Sequence, residues 1–354
     1  MNSEVKNDYI EKALNELITE IGVKDFADED KLVYLIEYKK VKEAIKEIAL
    51  YLGLPIEVKI SYVPKGYRPT GNDGFSSTHL VKTDNYNRGV GGITAQVSIP
   101  SNLPFYGTPS MVNFPINVKL SENCAENPKT LISIMAHELS HIVLNSMWHK
   151  EKENEFYTDL TAMILGFAKI MKTGRKVVKT TQVLNTIHTE TTTYGYLSDD
   201  NFKYAFDKIK LILKKQKAEV RSLKRDADKF SLKLKEAKKY SQYFNKYLEY
   251  LGKNPSNKIS QEDGQKISSF YQHDYTGNFQ SFINNNDLLV KDVLKYSENI
   301  KTYSDRSIEM VKKYKRQIES SFLELNKQKL LIKKDVDLLG KYIGFFGKIK
   351  LYFK

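Results

Sequence analysis

The C-terminal half of the chain carries a long repeat of mostly apolar residues at intervals of seven. Two such series run in parallel between residues 213 and 251, the second offset from the first by three residues. This spacing keeps one apolar stripe along a helix and predicts a coiled coil. The two series are Leu213, Val220, Ala227, Leu234, Ser241 and Leu248, and Gln216, Leu223, Phe230, Ala237, Phe244 and Leu251.

A second, weaker heptad repeat lies closer to the C-terminus. One of its two core positions is apolar throughout, whereas Lys315 and Lys329 interrupt the other. The polar stretches GKNPSNK and INNND separate the two repeats. We therefore expect two long helices that fold back as an antiparallel pair with shorter helical pieces between them, or alternatively a dimeric coiled coil. The apolar position holds Val311, Ile318, Leu325, Ile332 and Leu339.

The first 200 residues mix helical and β-type patterns. Residues 30–52 repeat apolar side chains at helical spacing up to Gly53 and Pro55, which predicts one packed helix. The runs EVKISYV, ITAQVSIP and FPINVKL then predict a small sheet. Residues 177–198 are polar, threonine-rich and aperiodic, which favours a loop or irregular edge. The predicted fold class is α+β.

Net charge separates the two halves of the chain. Residues 1–200 hold 22 basic and 25 acidic residues, whereas the remainder holds 34 and 18, a net charge of +16. We place the domain boundary so that residues 1–205 form the α+β domain and residues 206–354 a basic helical coiled-coil extension. Such an extension could bind a partner coil, a second copy, an anionic membrane surface or nucleic acid, although lysine-rich helix faces are also common in solvent.

Cysteine content and hydropathy suggest the compartment and limit the metal chemistry. The single cysteine, Cys124, excludes an internal disulfide and argues against a cysteine-ligated zinc site. The acidic, amphipathic N-terminus does not resemble a signal peptide, and no run of eighteen apolar residues occurs. We therefore expect a cytoplasmic protein whose metal ligands, if any, are histidines and carboxylates.

The sequence HELSH at residues 137–141 is the strongest chemical signal. Asn127 and Pro128 predict the start of a helix that contains it. His137 and His141 are four residues apart, so both imidazoles project from one helix face and can bind one cation. Zn²⁺ held in this way acidifies a bound water, and Glu138 is placed to accept the water's proton as general base.

A third ligand is expected from a following helix. Glu155 lies fourteen residues after His141, which leaves room for a turn before the second helix. Asp159, one helical turn further on, could accept the ring N–H of a motif histidine. Two alternatives remain: Asp159 could replace Glu155 as ligand, or His149 could bind the metal if the first helix ends early.

HELSH followed by NEFYTD resembles the gluzincin class of zinc metallopeptidases, whose pattern is HExxH, a variable gap and ExxxD. The resemblance covers roughly residues 50–200 and implies a zincin-like domain. It makes His137, His141 and Glu155 zinc ligands, Glu138 the general base, and Asp159 the support of a histidine. The class also places an edge strand before the active-site helix to bind substrate, and residues 114–120 occupy that position.

An oxyanion stabiliser is expected in such a mechanism, and the candidates are His188, Tyr194 and Tyr196, from the segment expected to border the cleft. His79 and His273 have no context that distinguishes them from surface histidines.

The sequence predicts a zinc-dependent metallopeptidase that hydrolyses a peptide or protein substrate. The alternative is an interaction protein whose coiled coil binds a partner helix, an anionic membrane or nucleic acid. In that case the zinc domain is non-catalytic or regulated.

Overall fold

The computed structural model describes residues 6–67, 82–84, 94–183, 186–254, 259–272 and 275–352. This part of the chain is mostly helical, with three small sheets. It divides into two compact units: residues 1–214 with 301–305, and residues 215–300 with 306–354. The sequence prediction placed the boundary at residue 205. Within the described residues, no helix has the length and apolar character needed to cross a bilayer.

The first unit combines short helices with all of the strands found among the described residues. Helices α1 to α6 span Asn7–Ile21, Glu29–Glu37, Val41–Leu52, Pro128–Ser146, Glu155–Ala162 and Ala168–Gly174. Strands β1 to β8 span Val23–Lys24, Glu57–Val63, Lys82–Asp84, Ala95–Val97, Pro115–Ser121, Lys176–Val183, Thr186–Thr193 and Thr302–Tyr303.

Residues 30–52 form two helices, so the prediction of one packed helix is wrong. The chain breaks between α2 and α3, where Lys39 adopts a left-handed backbone conformation with φ of 58°. Asp28 caps α2 by accepting a hydrogen bond from the Lys31 N–H at 3.1 Å. Neither glycine nor proline marks the break, and the apolar spacing continues across it, so periodicity alone could not locate it.

The sheet next to α4 has the strand order β2-β5-β4. The central strand β5 is parallel to β2 and antiparallel to β4. The expectation that residues 114–120 form an edge strand is therefore wrong. Ile116, Val118 and Leu120 are all fully buried on one face of β5. A central strand and an edge strand show the same alternation, because it depends on which face of the strand is buried and not on how many strands pair with it.

Residues 176–183 and 186–193 form the two strands of an antiparallel hairpin, and not the loop or irregular edge predicted for residues 177–198. Strands β6 and β7 pair antiparallel over eight residues each, and β3 adds a third strand beside β7. Threonine favours extended backbone because its side chain is β-branched. A run rich in threonine lacks the apolar alternation that identifies a half-buried strand, which explains the wrong prediction.

Helix α4 is the centre of the first unit and packs against α3, α5, α6 and β4. Its close approach to α6 requires a glycine: a Cβ on Gly174 would lie 2.3 Å from the Lys129 carbonyl oxygen. The Thr130 hydroxyl donates to the Gly174 carbonyl at 2.9 Å and ties the two helices together. The helix that carries the HELSH sequence is thus enclosed on several sides.

The second unit is helical, and the heptad positions form its core. Helices α7 to α10 span Asp199–Lys253, Gln261–Gln272, Tyr275–Asn299 and Asp305–Tyr352, and the first residues of α7 belong to the first unit. Most residues of both repeats are buried, as the coiled-coil pattern predicts. The lysines that interrupt the second repeat are only half-buried, and they pair with carboxylates: Lys315 with Glu219 and Lys329 with Glu236.

Helices α7 and α10 run parallel, so the expected antiparallel arrangement is wrong. Glu219 contacts Lys315 at 2.6 Å, and further along both helices the Phe230 and Phe322 rings lie 6.0 Å apart. Helix α9, which lies between α7 and α10 in the sequence, returns the chain to the end at which both helices begin. Its buried residues recur at alternating intervals of four and three, and the predicted polar break INNND lies inside this helix. The buried series is Phe279, Ile283, Asn286, Val290 and Val293.

Candidate metal centre

The HELSH sequence occupies the middle and the C-terminal half of α4. Pro128 is the first residue of the helix, and Asn127 precedes it without forming a side-chain cap. His137, Glu138 and His141 are exposed by 2%, 0% and 5%. Such complete burial of two imidazoles and a carboxylate requires partners that offset the loss of hydration.

Helix α5 brings a second carboxylate to the two histidines. The Asn154 side chain caps α5 by accepting a hydrogen bond from the Phe156 N–H at 3.1 Å, so Glu155 becomes the first residue of the helix. Glu155 Oε2 lies 3.1 Å from His137 Nε2 and 3.4 Å from His141 Nε2. The Glu155 side chain remains 31% exposed and gives the group its contact with solvent.

These distances suit a metal ion. With Zn–N and Zn–O bonds of about 2.0–2.1 Å, neighbouring ligands of a tetrahedral zinc ion are separated by about 3.3 Å. Within the described part of the chain, His141 Nε2 and Glu155 Oε2 are buried atoms that form no hydrogen bond. Buried polar atoms without hydrogen bonds cost free energy, and a cation between them would remove that cost. His137, His141 and Glu155 form a group that could bind a metal ion.

Asp159 orients His137 from behind. Its Oδ1 atom lies 2.7 Å from His137 Nδ1, and both side chains are buried. In the neutral ring Nδ1–H therefore donates to Asp159, and the Nε2 lone pair points towards Glu155, which is the tautomer a metal ligand needs. On the other histidine, Nδ1 of His141 lies 3.4 Å from the Thr158 hydroxyl oxygen.

The carboxylates make this pocket a favourable place for positive charge. Burial alone lowers the pKa of His137, but Asp159 and Glu155 outweigh burial and raise this pKa to about 10. Burial likewise raises the pKa of Glu155, but the two imidazoles outweigh it and lower this pKa to about 2. A metal ion would supply the same positive charge in place of protons.

A turn between β7 and α7 completes the surroundings of Asp159. The N–H groups of Tyr196 and Leu197 donate to Asp159 Oδ2 at 2.7 and 3.1 Å. Gly195 has φ of +89°, and a Cβ on it would lie 3.2 Å from the same oxygen. The sequence prediction did not assign this role to Gly195. The only sequence feature that indicates it is a glycine between two tyrosines, since glycine allows the backbone to pass close to another group.

The structure brings the Tyr196 side chain to the candidate metal centre. Its ring stacks on the His137 ring with a centroid distance of 5.6 Å and an interplanar angle of 22°. Burial raises the pKa of Tyr196, and the carboxylates of Glu155 and Glu138 raise it further. Glu138 also contributes to the raised pKa of His137. Tyr196 and Glu138 therefore lie close enough to interact electrostatically with the group formed by His137, His141 and Glu155.

The other expected site residues lie elsewhere or outside the described residues. Tyr194 lines a separate cavity with Thr94 and Cys124. The His188 backbone pairs with Thr181 in the β6–β7 hairpin, but its side chain lies outside the described part, as do His79 and His273.

A second group of carboxylates surrounds His149, the alternative ligand. Glu16, Glu20 and His149 offer ligand atoms within 4.8 Å of one another. However, His149 Nδ1 accepts a hydrogen bond from the Glu151 N–H at 3.0 Å, so the proton of the neutral ring must sit on Nε2. Nε2 points towards Glu20 at 3.6 Å and has no lone pair to offer a metal ion in this state. The His137 group has the opposite tautomer and fits a metal better.

No family model matches the sequence, and no match was found among curated proteins or among solved structures. The site therefore has to be interpreted from its own geometry.

Proposed function

We propose that the chain is a zinc-dependent metallopeptidase whose first unit is a zincin-like α+β domain. The observation that carries this proposal is the convergence of His137 Nε2, His141 Nε2 and Glu155 Oε2 at separations suited to a tetrahedral zinc ion. Zinc is favoured because the donor set consists of two imidazoles and one carboxylate, the set of several hydrolytic zinc sites, in which a fourth position stays open.

In this proposal, zinc supplies Lewis acidity that makes water a nucleophile near neutral pH and polarises the substrate carbonyl. Glu138, next to His137 on α4, takes a proton from the attacking water and later delivers it to the leaving amine. Asp159 holds His137 in the ligating tautomer. Tyr196 is the proposed oxyanion stabiliser, because its ring packs on His137.

The substrate is expected to be a peptide or protein that binds as an added strand. Among the described residues, β4 lies at the edge of the β2-β5-β4 sheet and packs against α4. An extended peptide that pairs with β4 would run beside the helix carrying the ligands. The substrate strand is thus proposed at β4, Ala95–Val97, in place of residues 114–120, but these three residues are at most 1% exposed, so the covered edge would have to open before a peptide could pair with it.

The alternative function, an interaction protein that acts through its coiled coil, has less support. A heptad repeat that seeks a partner helix leaves its apolar stripe exposed, but here Leu223, Phe230 and Leu325 are fully buried within the chain. The apolar heptad positions of the second unit are therefore buried by other residues of the same chain and need no partner helix. Its excess of lysine still favours an acidic surface or partner, and this unit could direct the peptidase to its substrate.

Replacement of Glu138 by Gln tests the proposed function. We expect Glu138→Gln to keep its zinc and to hydrolyse a peptide library about 10²- to 10⁴-fold more slowly than the wild type, since it removes the general base. Glu122→Gln is the matched control, because Glu122 is exposed just before α4. Undiminished hydrolysis by zinc-loaded Glu138→Gln, or none by the zinc-loaded wild type, contradicts the proposal.

A further inference from the structure

Arg175 lies directly after α6 and holds both ends of the turn formed by residues 194–197. Its carbonyl oxygen accepts a hydrogen bond from the Tyr194 N–H at 2.7 Å. Its guanidinium Nη2 donates to the Leu197 carbonyl oxygen. Arg175 is itself only 6% exposed, so these contacts form inside the protein.

The turn held by Arg175 is the one that contacts the proposed metal centre. Its Tyr196 and Leu197 N–H groups bind Asp159 Oδ2, and its Tyr196 ring covers His137. Asp159 in turn fixes the His137 ring. A short series of direct contacts therefore connects the Arg175 guanidinium with a candidate zinc ligand.

An arginine at this position is costly, which argues that its charge has a role. Within the described part of the chain, the buried Nε and Nη1 atoms have no hydrogen-bond partner. The Phe202 ring, 4.6 Å from Cζ, and the Asp199 carboxylate, 3.7 Å from Nη2, offset part of this cost. Packing alone could be satisfied by an apolar side chain of similar size.

The positive charge of Arg175 also acts on Asp159. Burial lowers the pKa of Arg175, while electrostatic attraction from Asp199 and Asp159 opposes that shift. The same attraction stabilises the Asp159 carboxylate in its charged form. Arg175 thus contributes both geometry, through the turn, and charge, through the field at Asp159.

We propose that Arg175 is a positioning residue of the metal centre, which fixes the 194–197 turn and through it the orientation of Asp159 and His137. This inference rests on the proposed metal site, but it does not depend on which bond the enzyme hydrolyses. Residues that support metal ligands indirectly commonly change metal affinity by about 10- to 100-fold.

The test uses the full-length protein and its variants Arg175→Met and Arg175→Lys. Arg175→Met removes both the positive charge and the hydrogen-bond donor to Leu197. Arg175→Lys keeps the charge but lacks the planar set of guanidinium donors. Lys172→Met is the matched control on α6, where the ammonium group lies over the Phe206 ring at 5.0 Å. Three quantities are measured: the Kd for Zn²⁺ by chelator competition, the visible absorption spectrum of the Co²⁺-loaded protein, and the Tm of the metal-free protein.

We expect Arg175→Met to bind Zn²⁺ about tenfold more weakly and to change the Co²⁺ spectrum, with Arg175→Lys intermediate and Lys172→Met unchanged. A lower Tm with unaltered Kd and spectrum would show a purely structural role and overturn the inference. If Arg175→Met does not fold, wild-type Kd and spectrum in Arg175→Lys overturn it equally. Failure of the wild type to bind zinc contradicts the proposed function itself, so the two failures are distinguishable.

Discussion

The two oxygens of Asp159 face different partners: Oδ1 lies 2.7 Å from His137 Nδ1, and Oδ2 accepts two main-chain N–H groups. Because the main-chain donors restrain the carboxylate, it presents Oδ1 to the imidazole in one orientation. The Nε2 atom of His137 is thereby directed at Glu155 and His141. This relationship makes the geometry of the proposed zinc site depend on a residue that need not touch the metal.

Asp159→Asn should weaken zinc binding. The amide keeps the size of the side chain but loses the charge that favours His137 as a donor at Nδ1. We expect the affinity for Zn²⁺ to fall by about 10- to 100-fold, as measured by competition with a chelating dye. Asp228→Asn, an exposed change on α7, should leave it unaltered. Equal affinities in the two variants would remove Asp159 from this role.

Gly195→Ala should affect both stability and metal binding. The left-handed φ of +89° should cost about 1–2 kcal/mol for alanine, and the new Cβ would press on Asp159 Oδ2 at 3.2 Å. Gly107→Ala is the matched control, since Gly107 has φ of +75° and no atom within 4 Å of its added Cβ. Urea unfolding should show destabilisation in both variants, whereas weaker zinc binding should appear only in Gly195→Ala. Equal zinc affinity in both would contradict the proposed contact.

The metal-free protein should lose stability as the pH rises from about 6.5 to about 10. The pKa of His137 is raised from 6.5 to about 10, so over this range the folded state keeps a proton that the unfolded chain has released. The stabilisation is fully present below pH 6.5 and is lost as the pH passes the folded-state pKa. Urea unfolding of metal-free protein at several pH values measures this slope. In His137→Gln the slope should be smaller, and an identical slope would contradict the assignment.

Chemical cross-linking should confirm that α7 and α10 run parallel. A zero-length carbodiimide reagent should join Glu219 to Lys315 and Glu236 to Lys329, pairs whose charged atoms lie 2.6 and 2.5 Å apart. Mass spectrometry of the digested monomer identifies the joined peptides. An antiparallel pair would instead bring Glu219 near the C-terminal end of α10, and cross-links of that kind would contradict the fold.

The sequence predicted the elements of the site well because local rules determine them. His137 and His141 share a face of α4 through helical geometry alone, and Asn154 places Glu155 at the first turn of α5. The roles assigned to these residues remain predictions. The sequence did not predict a role for Arg175 or Gly195. Both residues act through the 194–197 turn, whose contacts with Asp159 span 36 or more residues of sequence.

Strand order and helix direction could not be predicted in the same way. The burial pattern of β5 does not reveal its neighbours, and the heptads of α7 and α10 suit either direction. The α9 helix decides the direction by returning the chain before α10 begins. The buried stripe of α9 runs from Phe279 to Val293. The polar residue Asn286 occupies one of its core positions, which hides the apolar repeat in the sequence.

Zinc content measured on purified protein tests the central claim most directly. The wild type should bind one zinc ion per chain in elemental analysis after dialysis, and His149→Ala should keep it. His141→Ala should lose it, because the remaining ligands cannot complete the site. A wild type without zinc, or a folded His141→Ala variant that retains it, would contradict the account.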